Sequence, residues 1–419
     1  MVWGTKAGVT DLVQKLNANS TKSMYILSTR KVSSSDAISL ATALKTNSTM
    51  EEFYISGHNL GDDGLQAFAD VLAHNCVLRK LAVGTESLGD NGVRILCNGL
   101  GNNSNSKIES FDMELKSIGN DGASAMGEIL AKNNSIRQLV VARNRIQTPG
   151  FEQLVLGLNA SNYLEELDIA ENNLTLLNED GSNLVQWISK PNCSLKIVNI
   201  AGNPLGDSAV VFLKSLAINT SIESLNLSST ELTSAAWAAL GYALSKNSTL
   251  KTLDLSQNTI SSADEFITGV AQNKGLTRLV LAKTKLGDEV AKKLKAPSSL
   301  LHLDLSANNL TSIGMLPHLA SPIQELRVFD NSLGNGVYDV LPTIVANPVL
   351  QSLDVGANGL HGKLSIALFE ALHIPTALKT LEVGGNNLGD DGLAALEVLQ
   401  ERNPLLDVAI DKRGGNDTE

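Results

Sequence analysis

The sequence predicts a right-handed α/β solenoid, a horseshoe with parallel strands on its concave face and helices on its convex face. The first observation is the pattern LxxLxLxxNxL, which is clearest from residue 250 to residue 260 and returns along the chain at intervals of 23 to 31 residues. The second is a helical face after each copy, as at Leu65, Phe68 and Leu72. Parallel strands lie about 4.8 Å apart and packed helices about 8 to 10 Å, so stacked units bend with the strands inside.

The repeat indicates one elongated domain. We assign residues 1–21 to an N-terminal capping helix, 22–404 to about 14 repeat units, 405–410 to a terminal capping strand and 411–419 to a flexible tail. Caps are expected because no unit buries its apolar side without a neighbour, so both ends of the array need cover.

The ninth position of the pattern predicts a ladder of side-chain hydrogen bonds to the backbone of adjacent turns. The four earliest copies carry other polar residues there, so the first repeats are predicted to be less regular; these residues are Arg30, His58, Glu86 and Lys116. Later copies carry mainly Asn, with Thr230 and Thr284 as exceptions; the members are Asn144, Asn172, Asn203, Asn258, Asn308, Asn331, Asn358 and Asn386.

Another set of Asn residues is predicted to end the helices, as at Asn47 and Asn75. Many lie in Asn-x-Ser/Thr triplets, including those of Asn19, Asn47, Asn219 and Asn247. Such triplets can accept N-linked glycans, but their recurrence at one turn of the repeat favours turn chemistry.

Leucine-rich repeat proteins of the ribonuclease-inhibitor-like class resemble this chain in the pattern LxxLxLxxNxLGDxG, which covers about residues 22 to 410. The resemblance implies the horseshoe fold. Its functional implication is broad, since the class includes enzyme inhibitors, a GTPase-activating protein, actin-capping proteins and immune sensors.

Composition narrows the class of partner. The formal net charge is -11 and the pI is near 5.1, which disfavours nucleic acid and anionic membranes as partners. No segment approaches the 18 or so apolar residues of a membrane span, so we expect a cytoplasmic protein, with cytoskeletal association as one option. The three cysteines do not suggest a disulfide framework, and Cys76 and Cys193 are expected to be small core residues.

The second position of the pattern predicts a charged rim. Its residues alternate in sign over eight strands, in the order Glu51, Arg79, Glu109, Arg137, Glu165, Lys196, Glu223 and Lys251. Opposite charges on neighbouring strands stabilise one another by about 0.2 to 1 kcal/mol per pair. We therefore interpret the rim first as a register device and second as a surface for a partner of matching charge.

The seventh position is mostly Gly, Ala or Ser, which predicts a floor that a partner can approach closely. Glu114 and Phe329 are the exceptions, and Phe329 stands beside Arg327 and Asp330 in the sequence. An exposed aromatic residue flanked by Arg is typical of an interface hot spot, the alternative being that Phe329 fills a local gap. Further partner-binding candidates are Tyr54, Leu115, Arg143 and Trp187, the last placed near the exposed side of its helix.

Enzyme motifs such as GxxxxGK[ST], HExxH, CxxC and GxSxG are absent from the sequence, so we predict no catalytic, cofactor-binding or metal-binding residues and no small-molecule substrate. His302 and Asp304 share a strand face and could share a proton, without an obvious nucleophile. The predicted function is a non-enzymatic scaffold or adaptor for a protein of unknown identity.

The alternative is a GTPase-activating protein of the Ran-regulator type. That family presents an Arg on an early loop after a strand, whereas the comparable loops here begin at Ser56 and Gly84 and contain no Arg. Arg143 is predicted to lie on the sheet rather than on a loop.

Overall fold

The computed structural model describes residues 8–177, 181–260 and 263–410. The chain divides into two compact units, Met1–Phe212 and Leu213–Glu419. The N-terminal seven residues of the predicted cap and the predicted tail, residues 411–419, lie outside the described residues.

Short parallel strands alternate with helices throughout the described residues. The strands are β1 Ser23–Tyr25, β2 Glu52–Ser56, β3 Lys80–Gly84, β4 Ser110–Asp112, β5 Gln138–Val140, β6 Glu166–Asp168, β7 Ile197–Asn199, β8 Ser224–Asn226, β9 Thr252–Asp254, β10 Arg278–Val280, β11 His302–Asp304, β12 Glu325–Arg327, β13 Ser352–Asp354, β14 Thr380–Glu382 and β15 Asp407–Ala409. In the first unit β1 to β7 pair in chain order, and in the second unit β8 to β15 do the same.

The helices occupy the second half of each repeat. They are α1 Thr10–Asn17, α2 Ser34–Thr46, α3 Gly61–His74, α4 Gly89–Gly101, α5 Asn120–Leu130, α6 Thr148–Ser161, α7 Asn183–Ile188, α8 Ala209–Ser215, α9 Ser234–Leu244, α10 Asp264–Gln272, α11 Gly287–Ala291, α12 Ser312–Leu319, α13 Val337–Ala346, α14 Lys363–Ala371 and α15 Gly389–Arg402. Two 3₁₀ turns, Gly206–Ser208 and Gly334–Gly336, precede α8 and α13. The α/β repeat solenoid predicted from the sequence is confirmed.

Alternation along each strand separates the core from an open sheet face. In β2 the side chains of Phe53 and Ile55 are fully buried, whereas Glu52, Tyr54 and Ser56 are partly exposed. The three-residue strands β1 and β4 to β14 repeat this order around one buried residue, such as Leu253 and Leu353. One face of the sheet therefore packs on the helices and the other carries its side chains to solvent.

The predicted Asn ladder is confirmed by direct hydrogen bonds. Asn308 lies between two repeats, where its side-chain NH₂ donates to the carbonyls of Leu281 at 2.7 Å and Leu305 at 3.0 Å. Its side-chain oxygen accepts from the backbone N–H groups of Thr284 and Leu286, both at 3.0 Å. The residue is 1% exposed. The chain leaves the strand at this turn, so these backbone groups have no partner on a neighbouring strand. One side-chain amide satisfies them in two successive turns.

A second set of Asn side chains caps the helix ends. Asn247 donates to the carbonyls of Leu216 at 2.7 Å and Asn219 at 3.0 Å, and accepts from the N–H of Leu250 at 2.8 Å. Asn47 likewise follows the last residue of α2, Thr46. Asn47, Asn219 and Asn247 are at most 5% exposed. Their triplets therefore serve the turn, as the sequence indicated, since a buried amide is closed to a glycan.

Glycines allow neighbouring helices of the first unit to touch. A Cβ built on Gly157 of α6 would fall inside the carbonyl oxygen of Gly127 in α5, and one on Gly99 of α4 would meet the carbonyl of Ala69 in α3 in the same way. The helix backbones are in contact at these points. This tight spacing has no counterpart in the leucine pattern from which the fold was predicted.

The sequence predictions for Trp187 and Cys76 are wrong. Trp187 is fully buried and donates its indole N–H to the Asn162 side chain at 3.0 Å, so it cannot contact a partner. Its repeat is long and α7 begins only at Asn183, so counting from the strand misplaced the helix face. Cys76 is exposed, because Asn75 takes the buried position at the end of α3, whereas Cys193 is buried as predicted.

The first and last described repeats depart from the pattern in different ways. Arg30 of the first repeat donates to the Gly8 carbonyl at 2.8 Å and pairs with Asp11 of α1, so it fastens α1 to that repeat. At the other end, Leu405 was taken as the start of the last repeat, yet it is 88% exposed and Leu406 is 4% exposed. The last strand keeps the predicted register, with Val408 opposite Leu381, but its buried side chains are Leu406 and Ala409.

Candidate protein-binding sheet face

The charged rim predicted from the second position is present in the first unit. Glu51 pairs with Lys22 at 3.0 Å and with Arg79 at 3.8 Å, and Arg79 also pairs with Glu109. Glu165 pairs with Lys196 at 2.7 Å and with Arg137 at 3.8 Å. Because the basic groups already have carboxylate partners, this rim is a poor binding site for phosphate.

An exposed aromatic patch occupies the start of the open sheet face in the first unit. The rings of Tyr25 and Tyr54 are stacked, with centroids 4.4 Å apart and an interplanar angle of 6°. Tyr25 is 60% exposed and Leu27, just beyond β1, is 67% exposed. The Tyr25 hydroxyl donates to Glu52 at 3.1 Å, and Glu52 also pairs with Lys80 at 3.2 Å. Apolar surface presented by rigid rings and edged with charge is typical of a protein interface.

Burial alters the acidity of one of these rings. Burial raises the pKa of Tyr54 to about 12, and the nearby Glu52 carboxylate acts in the same direction. Tyr54 therefore stays a neutral hydroxyl at physiological pH. Sequence reasoning selected Tyr54 but missed Tyr25 and Leu27, because the first repeat departs from the pattern and its outward positions were not read.

A second cluster lies where β4 and β5 end. Arg143 pairs with Glu114 at 3.4 Å and with Glu171 at 3.3 Å, and Leu115 beside it is 46% exposed. Arg143 and Leu115 both have positive φ values, 56° and 55°. Arg143 therefore lies on the turn after β5, and its predicted placement on the sheet is wrong. The glutamate neighbours raise the pKa of its guanidinium, chiefly through the hydrogen bond to Glu171.

In the second unit, Phe329 lies half-buried on the open sheet face. A Cβ built on Gly356 would come within 2.8 Å of Phe329 Cδ2, so the ring rests over this glycine of the next repeat. Asp330, which follows, is exposed and has a φ of 54°. The ring is thus less exposed than the sequence suggested, and it combines partial packing with an accessible edge.

Arg327 and its neighbours form a compact charged cluster beside Phe329. Arg327 Nε pairs with Glu325 at 2.9 Å, and His302 Nδ1 lies 2.8 Å from the same carboxylate. His302 therefore contacts Glu325 rather than Asp304, with which a shared proton was considered. Burial works to raise the pKa of Glu325, but His302 and Arg327 outweigh it, and the pKa is lowered.

A further feature of the sheet face, which we call the central row, consists of the third residue of each strand. In the second unit the central row is Asn226, Asp254, Val280, Asp304, Arg327, Asp354, Glu382 and Ala409. Asp254, Asp304 and Asp354 each accept a hydrogen bond from the N–H two residues later, at 2.8, 2.8 and 2.9 Å. Asn226 makes the same bond at 2.9 Å without a charge. Sequence reasoning selected Arg327 and, in the first unit, Tyr54 from this row, but did not consider the row as a whole.

Two carboxylates of the central row, one in each unit, have a raised pKa. Burial raises the pKa of Asp354 to about 6, and the neighbouring Glu382 and Asp304 carboxylates also raise it, against the opposing effect of the Gly356 N–H and Arg327. In the first unit burial likewise raises the pKa of Asp168, with Asp112 contributing. These groups carry charge in a place where the fold disfavours it.

The substitution Asp354→Asn is expected to stabilise the second unit at neutral and higher pH. Asp354 takes up a proton more readily in the folded chain, with a pKa of about 6 against 3.8, so its charge costs stability as pH rises through this interval. Asn keeps the bond to Gly356 and removes the cost. Urea unfolding should show the variant more stable than the parent at pH 8 and equal to it below about pH 3.8. A difference that is constant with pH would contradict this assignment.

Groups of three or more His, Cys, Asp or Glu placed to hold a metal ion do not occur in the described part of the chain. None of the described helices is both long and apolar enough to cross a membrane.

Comparisons with known proteins agree with the repeat. A family model for the leucine-rich repeat matches residues 46–69, 192–214, 246–263, 296–317 and 376–396. Leucine-rich repeat-containing protein 45 of Gallus gallus is 36% identical over 73 residues, which are 17% of this chain and 11% of that protein. The similarity thus spans only about a ninth of that relative's length. An internalin from Listeria monocytogenes matches with a TM-score of 0.47 and 17% identity, covering 96% of this chain and 94% of the other.

The five matched stretches each include strand residues and belong to the strand-and-helix repeat seen in both units. Together with the LxxLxLxxNxL pattern and its Asn ladder, they show that this chain is built from leucine-rich repeats.

Proposed function

We propose that the chain is a non-enzymatic scaffold or adaptor that binds a protein partner through its open sheet face and rims. The observation that carries the proposal is the exposed patch of Tyr25, Leu27 and Tyr54 on a sheet whose other face is buried. Interface energy is concentrated in a few aromatic and Arg residues surrounded by polar contacts. A surface built on paired strands is already ordered, so docking costs little conformational entropy.

The residues we propose for partner binding combine the sequence candidates with two additions from the structure. Trp187 is removed because it is buried. The proposed set is Tyr25, Leu27, Tyr54, Glu114, Leu115 and Arg143 in the first unit, and Arg327, Phe329 and Asp330 in the second.

We further propose that the repeats belong to the ribonuclease-inhibitor-like class and that the protein works in the cytoplasm, with the cytoskeleton as one place of action. A helix in each repeat and repeat lengths in the upper twenties support the class. The free, exposed thiol of Cys76 suits a reducing compartment. Fractionation of the native cell would test the location, and recovery in a secreted fraction would exclude it.

Phe329→Ala is expected to weaken partner capture while leaving the melting temperature nearly unchanged. The ring is half-buried over Gly356, so its loss exposes a glycine floor without opening the core. Capture from native-cell extract by the immobilised full chain should fall, with the bound proteins compared at low and high salt. Tyr338→Ala on α13, where the side chain is 52% exposed on the helical side, is the matched control and should capture normally. Loss of folding with intact capture would refute the role of Phe329.

A GTPase-activating protein of the Ran type is the second candidate, and one observation favours it. Arg143 lies on a turn after a strand, which is where that family carries its Arg. Glu114 and Glu171 already bind it, so a GTPase would have to displace both carboxylates. Adding the chain to Ran loaded with GTP separates the candidates: faster hydrolysis that Arg143→Ala abolishes would overturn the scaffold proposal.

A further inference from the structure

The first strand of the sheet has a free edge. β1 pairs with β2 along one side, and no strand of the described residues pairs with its other side. The Ile26 N–H donates to the Tyr54 carbonyl of β2 at 2.8 Å. In a parallel ladder alternate residues bond opposite neighbours, so Tyr25 and Leu27 direct their backbone groups away from β2. Within the described residues, the N–H and C=O of Tyr25 and the N–H of Leu27 make no hydrogen bond.

This edge lacks the features that usually keep an exposed strand from pairing with another chain. Residues 23–27 contain no Pro and no charged side chain, either of which would hinder the addition of a strand. In the second unit the last strand, β15, by contrast begins with the charged Asp407. The edge of β1 is therefore able to accept an extended segment through main-chain hydrogen bonds.

The Tyr25 ring presents one of its faces beyond the edge. It stacks on Tyr54 with the centroids 4.4 Å apart and an interplanar angle of 6°, so the stack runs across the sheet from strand to strand. The other face of Tyr25 consequently points to where a further strand would lie, about 4.8 Å away. The ring is 60% exposed, and its hydroxyl is held by Glu52 at 3.1 Å. An aromatic side chain on an added strand would extend this stack.

The charged rim also ends at this edge. Its basic residue Arg79 lies between two carboxylates, Glu51 at 3.8 Å and Glu109 on the following strand. Lys22 begins the rim and pairs with Glu51 at 3.0 Å, while its side chain is 79% exposed. An acidic residue on an added strand would give Lys22 a second carboxylate, as Arg79 has. The charge of the rim is thus complementary to an acidic residue at this position.

We infer that β1 accepts an extended segment of a protein partner as an added parallel strand. The segment carries an acidic residue level with Lys22, an aromatic residue three positions later on the Tyr25 ring, and an apolar residue two positions after that beside Leu27. It runs in the direction of β1, so the rim and the tyrosine stack continue in the order they have in this unit. This inference rests on the proposed scaffold function and names the chemistry of its partner.

Binding of a short peptide to the full chain tests the added strand. The peptide has blocked ends, Asp, Tyr and Leu at its first, fourth and sixth positions, and Thr elsewhere. In a parallel pairing the N–H of its fifth residue donates to the Tyr25 carbonyl, whereas the N–H of its fourth residue points away from β1. N-methylation of the fifth residue should abolish binding, and N-methylation of the fourth, the matched control, should leave most of it. Equal effects of the two methyl groups would overturn the inference.

Substitutions in the chain test the side-chain contacts. Tyr25→Ala should weaken peptide binding about tenfold because it removes the stacked ring. Tyr242→Ala, on α9 where the side chain is 55% exposed, is the matched control and should bind as the parent does. Lys22→Glu should weaken binding of the Asp peptide, and a peptide with Lys at its first position should restore it. Equal effects of Lys22→Glu on the two peptides, or no binding to the parent, would overturn the inference.

Photo-crosslinking identifies the occupant of the edge. A benzoylphenylalanine at Leu27 should crosslink to the peptide, and excess unlabelled peptide should compete this product away. A crosslink to a second copy of the chain, or one within the chain that excess peptide does not reduce, would show another occupant and overturn the inference.

Partner capture from native-cell extract distinguishes this failure from a failure of the proposed function. If the peptide does not bind but Tyr25→Ala still reduces capture, the added strand is wrong and the scaffold function stands. If capture by the parent is insensitive to every sheet-face substitution, the proposed function itself is wrong.

Discussion

Asn308→Ala should destabilise the second unit by about 3 to 5 kcal/mol, since several buried backbone groups lose their partner at once. The Asn308 side chain bonds the Leu281 and Leu305 carbonyls and receives the Thr284 and Leu286 N–H groups, at distances of 2.7 to 3.0 Å. Water cannot replace it without opening the turn, because the site is 1% exposed. Equilibrium urea unfolding gives the free-energy change, and hydrogen exchange shows whether the loss centres on the repeats of β10 and β11.

Two further variants make the Asn308 result specific. Asn335→Ala removes an exposed amide in the 3₁₀ turn before α13 and should change stability by less than about 0.5 kcal/mol. Asn308→Thr should lose less stability than Asn308→Ala and more than Asn335→Ala. Thr284 holds the equivalent position one repeat earlier and donates its hydroxyl to the Leu281 carbonyl at 2.9 Å, so Thr can replace part of the Asn bonding. If Asn308→Ala were as mild as Asn335→Ala, the side-chain ladder would not be what joins the turns.

Gly157→Ala should destabilise the first unit by about 2 to 4 kcal/mol, the opposite of what an Ala usually does inside a helix. The new methyl would overlap the carbonyl oxygen of Gly127, which is helix backbone and cannot move aside alone. The overlap would push α5 and α6 apart and loosen the residues packed between them. Urea unfolding followed by circular dichroism measures the effect.

Gly101→Ala is the matched control for Gly157. It lies at the exposed end of α4, where a Cβ would meet only the tip of the Ile129 side chain at 2.9 Å. That side chain can rotate, so this substitution should be nearly neutral. A neutral or stabilising Gly157→Ala would mean that the two helices can separate at little cost.

The leucine and asparagine positions made the strand order and the ladder predictable, because each residue's role there follows from its own repeat. Leu253 is buried and Asn308 bridges turns as the pattern requires. Contacts that depend on a neighbouring repeat were not predictable in this way. From the sequence alone Gly157 is a residue that weakens a helix, and its role is clear only once Gly127 is found in contact with it. Trp187 was predicted to face outward because the sequence does not show that α7 begins only at Asn183.

The candidate site was predicted only in part, for a related reason. Phe329 and Glu114 stood out because they break the column of small residues at the seventh position. Tyr25 and Leu27 escaped notice because the first repeat has no clear pattern from which to count. The Asp residues of the central row looked ordinary, since polar residues are expected on the outside of a strand. Asn226 makes the equivalent backbone hydrogen bond with a neutral amide, which shows that the bond does not require a charged group.

That a partner binds the sheet face rather than the helices is tested most directly by photo-crosslinking in native-cell extract. A benzoylphenylalanine is placed at Phe329 on the sheet face or at Tyr338 on α13, which is 52% exposed. Phe329 should yield a discrete crosslinked protein that an excess of unlabelled parent chain competes away, and Tyr338 should yield none. A competed product from Tyr338 with none from Phe329 would contradict binding through the sheet.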